Sequence, residues 1–293
     1  MKPGPASAKQ ILIGTIRVDA EPKAAEEWLT EISLEQGWFS SESEAYEAAE
    51  KWRGRFIDSL RRELSEFNEI GRFIPFDFNS SSDYLIQGCA FIEPRDSDEV
   101  KSAKLRQAQY YDYTNALTDL SPKEFEALCG GLLQLFGVED PQVTSYSADE
   151  GIDFFGRLNL DQFMFTEDTY SNIQNQLSVW MIGQAKHYIK VQSSTFEIRE
   201  LVGSVELAKG GAYGALKAKY EGLRIKVCDP VFYLFFTTGR ISLNSWRVIS
   251  KSGVIAMDGD MVATFLAQRA IGVDDDGTFQ LAAFKDWVAK YVT

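Results

Sequence analysis

The sequence predicts an α/β fold, a central mixed sheet flanked by helices, with an N-terminal α+β domain attached. Three observations carry that expectation. Short strand-like runs rich in branched and aromatic residues recur in the second half, at Asp149–Gly156, Trp180–Lys186, Val231–Thr238 and Gly253–Met257. Between them lie segments with helical spacing, one marked by Phe125, Leu128, Leu132 and Leu135, another spanning Ser193–Lys209. Upstream, a long amphipathic pattern through Tyr46, Ala49, Arg53, Phe56, Leu60, Leu64 and Phe67 belongs to a different arrangement. The chain is therefore read as two domains, residues 1–115 and 116–293.

In order along the chain, Met1–Gln10 is read as a loose end and Ile11–Val18 as a strand. Pro22–Ser33 reads as a helix with proline near its start. Ser41-Glu42-Ser43-Glu44 has capping-box spacing and opens the long helix. Tyr84–Ile92 reads as a strand and Glu99–Leu117 as a helix, with Tyr110, Tyr111 and Tyr113 near its end. The aromatics of residues 1–115 are read as core rather than a base-stacking platform; no motif marks this domain and its role is left open, a sensor or a contact for a protein partner being one option. Ser121 is a good N-cap and Pro122 fits the first helical position behind it. Arg157–Gln176 is polar and reads as a hairpin extension or loop. Gly210–Gly214 is a break without phosphate-loop spacing. Ser245–Ser250 reads as a helix, Asp274–Gly277 as a solvated turn lacking the EF-hand ligand pattern, and Phe279–Tyr291 as the last helix.

Composition narrows the functional classes. At 293 residues and 45 % apolar content, a packed core is expected rather than disorder. No apolar run is long enough to span a membrane, and the N-terminus lacks a signal pattern, so a cytoplasmic protein without membrane association is expected. Cys89, Cys129 and Cys228 are widely spaced in apolar contexts and read as reduced core thiols. The net charge of −13 argues against a general nucleic-acid binder. Locally the balance reverses: Lys186–Lys226 holds eight Lys or Arg against four Glu. Lys190, Arg199, Lys209, Lys217 and Lys219 are the candidates for phosphate contacts, the alternative being a solvated helix face.

The chemistry concentrates between Asp149 and Lys186. Strand alternation turns Asp153 away from Ile152 and Phe154, and puts Gln184 and Lys186 on one face with Ala185 on the other. Gly151 allows a sharp turn into the first strand. If the two strands pair, a carboxylate, an amide and an ammonium converge at a sheet edge. That set suits phosphodiester hydrolysis. Hard oxygen donors hold Mg²⁺ or Mn²⁺, which neutralises the phosphate and acidifies water. A lysine beside it orients the attacking water or stabilises developing charge. The alternative is a buried Asp153–Lys186 ion pair without catalysis.

Asp149-Glu150-Gly151-Ile152-Asp153 followed by Gln184-Ala185-Lys186 resembles the restriction-endonuclease-like (PD-(D/E)xK) superfamily, and more narrowly its Mrr-type catalytic domain with a Gln-x-Lys second motif. The helix Leu120–Leu128 with its Phe125-Glu126 pair, the strand Val231–Gly239 ending in threonines, and Ser252–Gly259 resemble further segments of that domain, in the same order. The segment between Asp153 and Gln184 is longer than the pattern leads one to expect. The resemblance implies a restriction-endonuclease-like core and metal-dependent DNA cleavage in restriction or anti-phage defence. It also implies roles: Asp153 as main metal ligand, Gln184 as a second oxygen, Lys186 beside the nucleophile, and a helix glutamate, Glu126 or its neighbour Glu124, assisting the metal. Superfamily members carry Gln or Glu at the position of Gln184, so Gln184→Glu is expected to keep cleavage. Cutting both strands needs two sites, hence a homo-oligomer. DNA is the expected partner, with RNA left open. The alternative of another class is a non-catalytic nucleic-acid-binding or protein-interaction module.

Rival chemistries fare worse. His187 is the sole histidine, which leaves no His-rich zinc site, and no Gly-x-Ser-x-Gly elbow accompanies it. Beside Lys186 it is read as structural.

Overall fold

A computed structural model describes residues 2–144, 151–158, 179–188, 192–210 and 222–292. The chain divides into two compact units, Met1–Tyr111 with Thr264–Arg269, and Asp112–Ala263 with Ala270–Thr293.

In the first unit, helices α1 (Pro5–Thr15), α2 (Ala25–Glu35) and α3 (Glu42–Ile70) share one core with an antiparallel sheet. The sheet has the order β1 (Lys23–Ala24), β3 (Ser82–Gly88), β2 (Phe76–Asn79). Leu12, Leu29, Phe56, Leu60, Phe76 and Ile86 fill that core. The Ser41 hydroxyl accepts the Glu44 N–H and starts α3, and Gly71 in the left-handed region ends it. The strand expected at Ile11–Val18 is instead the end of α1. Pro5 opens the helix, and Ala8 and Leu12, four residues apart, are both fully buried. So short an apolar run has no period of its own, and the helix formers upstream decide it. The helix expected over Glu99–Leu117 is two, α4 (Asp98–Ala108) and α5 (Tyr110–Thr118), and strand β2 was not foreseen.

The second unit is built on a five-stranded mixed sheet of order β10-β8-β6-β5-β4. Its strands are β4 (Gln142–Val143), β5 (Phe154–Leu158), β6 (Val179–Lys186), β8 (Val231–Thr237) and β10 (Ile255–Met257). A separate parallel pair joins β7 (Gln192–Ser193) to β9 (Arg240–Ile241). β5 runs antiparallel to β4 and β6, while β6, β8 and β10 run parallel. Helix α6 (Pro122–Leu135) packs on β5 and β6, and α7 (Thr195–Lys209) packs on β6 and β8. The α7 face buries Ile182, Ile198, Leu201, Val205 and Phe235 in one cluster, with Trp246 of α8 (Leu243–Ser252) joining it. Helices α9 (Gly259–Gln268) and α10 (Leu281–Ala289) complete the described elements, and α10 lies on α6.

The cysteines are less uniform than expected. Cys129 is buried, Cys89 is partly buried and Cys228 is exposed; all three are free. Cys228 stands in the turn before β8, where its apolar neighbours lead into the strand rather than around the thiol. No described helix is long and apolar enough to cross a membrane.

Gly183 governs the packing at the centre of the sheet. A Cβ there would meet Phe154 Cζ at 2.1 Å and Leu234 Cβ at 3.0 Å. Its bare backbone lets Phe154 lie almost parallel to Phe236, with ring centroids 5.4 Å apart. Gly183→Ala should therefore overpack this layer and lower unfolding stability by about 1–3 kcal/mol. Urea denaturation reads the change, and an unshifted midpoint would show that the phenylalanine pair yields without cost.

Candidate active site

The β5–β6 ladder ends at Phe154 opposite Gly183, and Asp153 stands one residue beyond it. The Asp153 N–H donates to Gly183 O at 2.9 Å. Its carboxylate Oδ2 accepts the Ala185 N–H at 2.8 Å. The acid is thus tied to the β6 backbone between Gln184 and Lys186. Gly151 makes the turn before it, at φ 73°. A Cβ at Gly151 would stand 2.5 Å from Ser204 Oγ and 3.5 Å from Gln184 Nε2, so glycine alone lets this turn lie against α7.

Parallel pairing sets Gln184 beside Phe235 and Lys186 beside Thr237. Both polar side chains point to the α7 face. Gln184 is 1 % exposed. Its Nε2 donates to Glu200 Oε2 at 3.4 Å, and the same oxygen lies 3.8 Å from Lys186 Nζ. Gln184 Oε1 is buried and has no hydrogen-bond partner among the described residues. An amide oxygen left so costs about 1–3 kcal/mol unless a ligand takes it, which fits a cation or its water at this point. Among the described residues no three His, Cys, Asp or Glu side chains form a metal-holding cluster. The groups here that could hold a hard cation are the Asp153 carboxylate and the Gln184 amide oxygen, a donor set that would need water or a phosphate to complete it.

The alternatives at α6 separate. Glu124 closes the capping box: its carboxylate accepts the Ser121 N–H at 2.7 Å, and that bond holds its carboxyl below the usual range. Glu126, one turn before the fully buried Cys129, is only partly buried. Burial pushes the Cys129 thiol well up, and the charges of Asp153 and Glu126 push it further, so both carboxylates lie within electrostatic reach of one sulfur.

Beyond Lys186 the strand end is held by threonine. The Thr238 N–H donates to Lys186 O at 3.2 Å, and Thr238 Oγ1 accepts the Tyr188 N–H at 2.9 Å. His187 Nε2 is 3.3 Å from Leu117 O and its ring stands edge-on to Phe125, a structural setting. Of the basic residues, Arg199 is exposed on α7, and Lys209 near its end pairs with Glu206 at 3.7 Å. Lys190, Lys217 and Lys219 lie outside the described residues, as do Asp149, Glu150 and most of Arg157–Gln176.

Glu200 is the site residue that the sequence reading passed over. A signal for it exists. Ile198, Leu201 and Val205 mark the buried row of α7, and Glu197, Glu200 and Ser204, at helical spacing, form a polar row alongside. Each member of that row meets the strand ends: Glu197 accepts from Tyr188 Oη at 3.1 Å, Glu200 meets Gln184 and Lys186, and Ser204 faces Gly151.

Comparison with known proteins adds a family. Residues 117–217 match the family model of the Mrr catalytic domain, described as a restriction endonuclease. Among solved structures, the MspJI restriction endonuclease in complex with a 27-mer oligonucleotide is similar at 18 % identity and a TM-score of 0.38, over 71 % of this chain and 41 % of that one. The DNA modification-dependent restriction endonuclease AspBHI is similar at 16 % identity and a TM-score of 0.39, over 73 % of this chain and 46 % of that one. The chain thus spans less than half the length of either. None of the curated proteins matches. Residues 117–217 form a restriction-endonuclease domain of the Mrr catalytic type.

Proposed function

We propose that the chain is a divalent-metal-dependent endonuclease that hydrolyses DNA phosphodiester bonds in the cytoplasm, in restriction or defence against phage. One observation carries the reading. The buried Gln184 Oε1 lacks a hydrogen-bond partner among the described residues, at the strand end where Asp153 and Lys186 also stand. Folded chains partner their buried polar atoms, and an exception at such a place points to a ligand. Asp153 and Gln184 would hold Mg²⁺ or Mn²⁺, with Glu126 serving its water shell. The ion supplies charge neutralisation at the phosphate and an acidified water. Lys186 would orient the attacking water and stabilise the charge that develops on phosphorus. Its side chain is 28 % exposed, so the ammonium can meet a phosphate without the strand moving. Cleavage of both strands requires two such sites, which favours a homo-oligomer.

Asp153→Ala and Lys186→Ala should each abolish Mg²⁺-dependent cleavage while circular dichroism stays that of the wild type. The assay takes plain DNA, base-modified DNA and RNA in parallel, with and without chelator. Wild-type turnover in either folded variant would remove the mechanism, and cleavage of RNA alone would reassign the substrate.

Binding tests the basic segment separately. With a net charge of −13, the protein meets DNA through local cations. Affinity should fall steeply with salt, and Arg199→Ala or Lys209→Ala should each flatten the log–log slope by about one. Unchanged slopes would make that face of α7 merely solvated.

A further inference from the structure

We infer that Glu200 is a positioning residue, which decides whether the oxygen or the nitrogen of the Gln184 amide faces the cation site. The inference rests on the endonuclease reading of that site. The two ends of an amide differ little in shape but oppositely in polarity, and a half-turn would present an NH₂ to the cation in place of an oxygen. Nothing in the shape of the strand forbids that turn. Glu200 does. Its carboxylate can only accept, so it draws Nε2 toward itself at 3.4 Å and leaves Oε1 on the opposite side, buried and without a hydrogen-bond partner among the described residues. The same carboxylate oxygen faces the Lys186 ammonium at 3.8 Å, so one acid orients both polar side chains of β6.

The helix that carries Glu200 is fixed by other means. Ser194 and Glu197 close its capping box, with the Ser194 N–H on Glu197 Oε2 at 2.8 Å. Ile198, Leu201 and Val205 are fully buried. Ser204 lies against the turn at Gly151. Glu200 is therefore presented to the strand by packing that does not depend on Gln184.

A consequence reverses an expectation drawn from the sequence. Gln184→Glu would place a second carboxylate within contact of Glu200 and remove the N–H donor that Glu200 accepts. Glutamate is then not a neutral replacement in this chain, even though it offers the same ligand oxygen. Exchanging the two residues, as Gln184→Glu with Glu200→Gln, restores one donor and one acceptor with the sense inverted.

The test uses the full chain, without DNA at first. Electron paramagnetic resonance of free Mn²⁺ reads the affinity, and the ¹H–¹⁵N resonances of the Gln184 side-chain amide read its hydrogen bond. Glu200→Ala should weaken Mn²⁺ binding about 10- to 100-fold and move those resonances. Glu200→Gln, which keeps the shape, should lose less. Gln184→Glu alone should also bind poorly, and the exchanged pair should recover affinity and metal-dependent cleavage to within about threefold of wild type. Wild-type Mn²⁺ affinity with unmoved Gln184 resonances in a folded Glu200→Ala variant would overturn the inference. So would an exchanged pair no better than Gln184→Glu alone. A wild-type chain that neither binds Mn²⁺ nor cleaves would remove the endonuclease reading, yet the Gln184 resonances would still decide whether Glu200 sets the amide.

Discussion

The bond from the Ala185 N–H to the Asp153 carboxylate, 2.8 Å long, closes the mouth of the sheet. The antiparallel ladder between β5 and β6 stops at Phe154 and Gly183, and past it β6 would present a backbone donor with no strand to receive it. Asp153 supplies the acceptor from its side chain. A charged acceptor makes such a bond worth about 1.5–3 kcal/mol, more than a ladder bond. The carboxylate proposed as the metal ligand is thus also the last rung of the sheet. A backbone N–H holds its rotamer, which suits a group proposed to meet a cation at fixed distance.

From that rung the remaining site follows by alternation and cover. β6 is covered by α6 and α7, so its residues should all be apolar. Met181, Ile182, Gly183 and Ala185 comply. Gln184 does not, and at 1 % exposure it depends on whatever polar group the covering helix brings. Helix α7 brings its row of Glu197, Glu200 and Ser204 to the strand ends. The opposite layer, where Phe154 lies along Phe236 over the bare backbone of Gly183, fixes the spacing of β5 and β6 from the other side.

Much of this was legible in the sequence because it rests on period and composition. Strand runs at Trp180–Lys186 and Val231–Thr238, the cap at Ser121, and the glycine turn at Gly151 each carry a local signature. The structure brings Asp153, Gln184 and Lys186 to one strand end, as alternation required if the strands paired. What failed was of two kinds. At Ile11–Val18 the apolar run was too short to hold a period, and the burial of Ala8 and Leu12 in one helix depends on a tertiary core that no local window contains. Glu200 escapes notice in the sequence because a helix glutamate next to Arg199, one turn from Glu197, reads as solvated. Only the register of α7 against β6, a long-range fact, turns it inward. At α6 the capping box engages the Glu124 carboxylate with the Ser121 N–H, a consequence of the Ser121-to-Glu124 spacing in the sequence, and leaves Glu126 as the helix acid not tied to the cap.

The strength of each contact at the site bears on what it can do. Lys186 and Glu200 are 3.8 Å apart and each about a third exposed, a pair worth roughly 0–1 kcal/mol. Such a pair gives direction without holding the ammonium fast, and an arriving phosphate competes for it easily. The bond from Gln184 to Glu200 is long at 3.4 Å, but its Gln184 end is 1 % exposed, where water offers the amide no ready substitute. Water therefore weakens the first contact and leaves the second intact. In the proposed mechanism the same carboxylate would hold the amide in one orientation while it releases the lysine to the phosphate, because burial differs between its two partners.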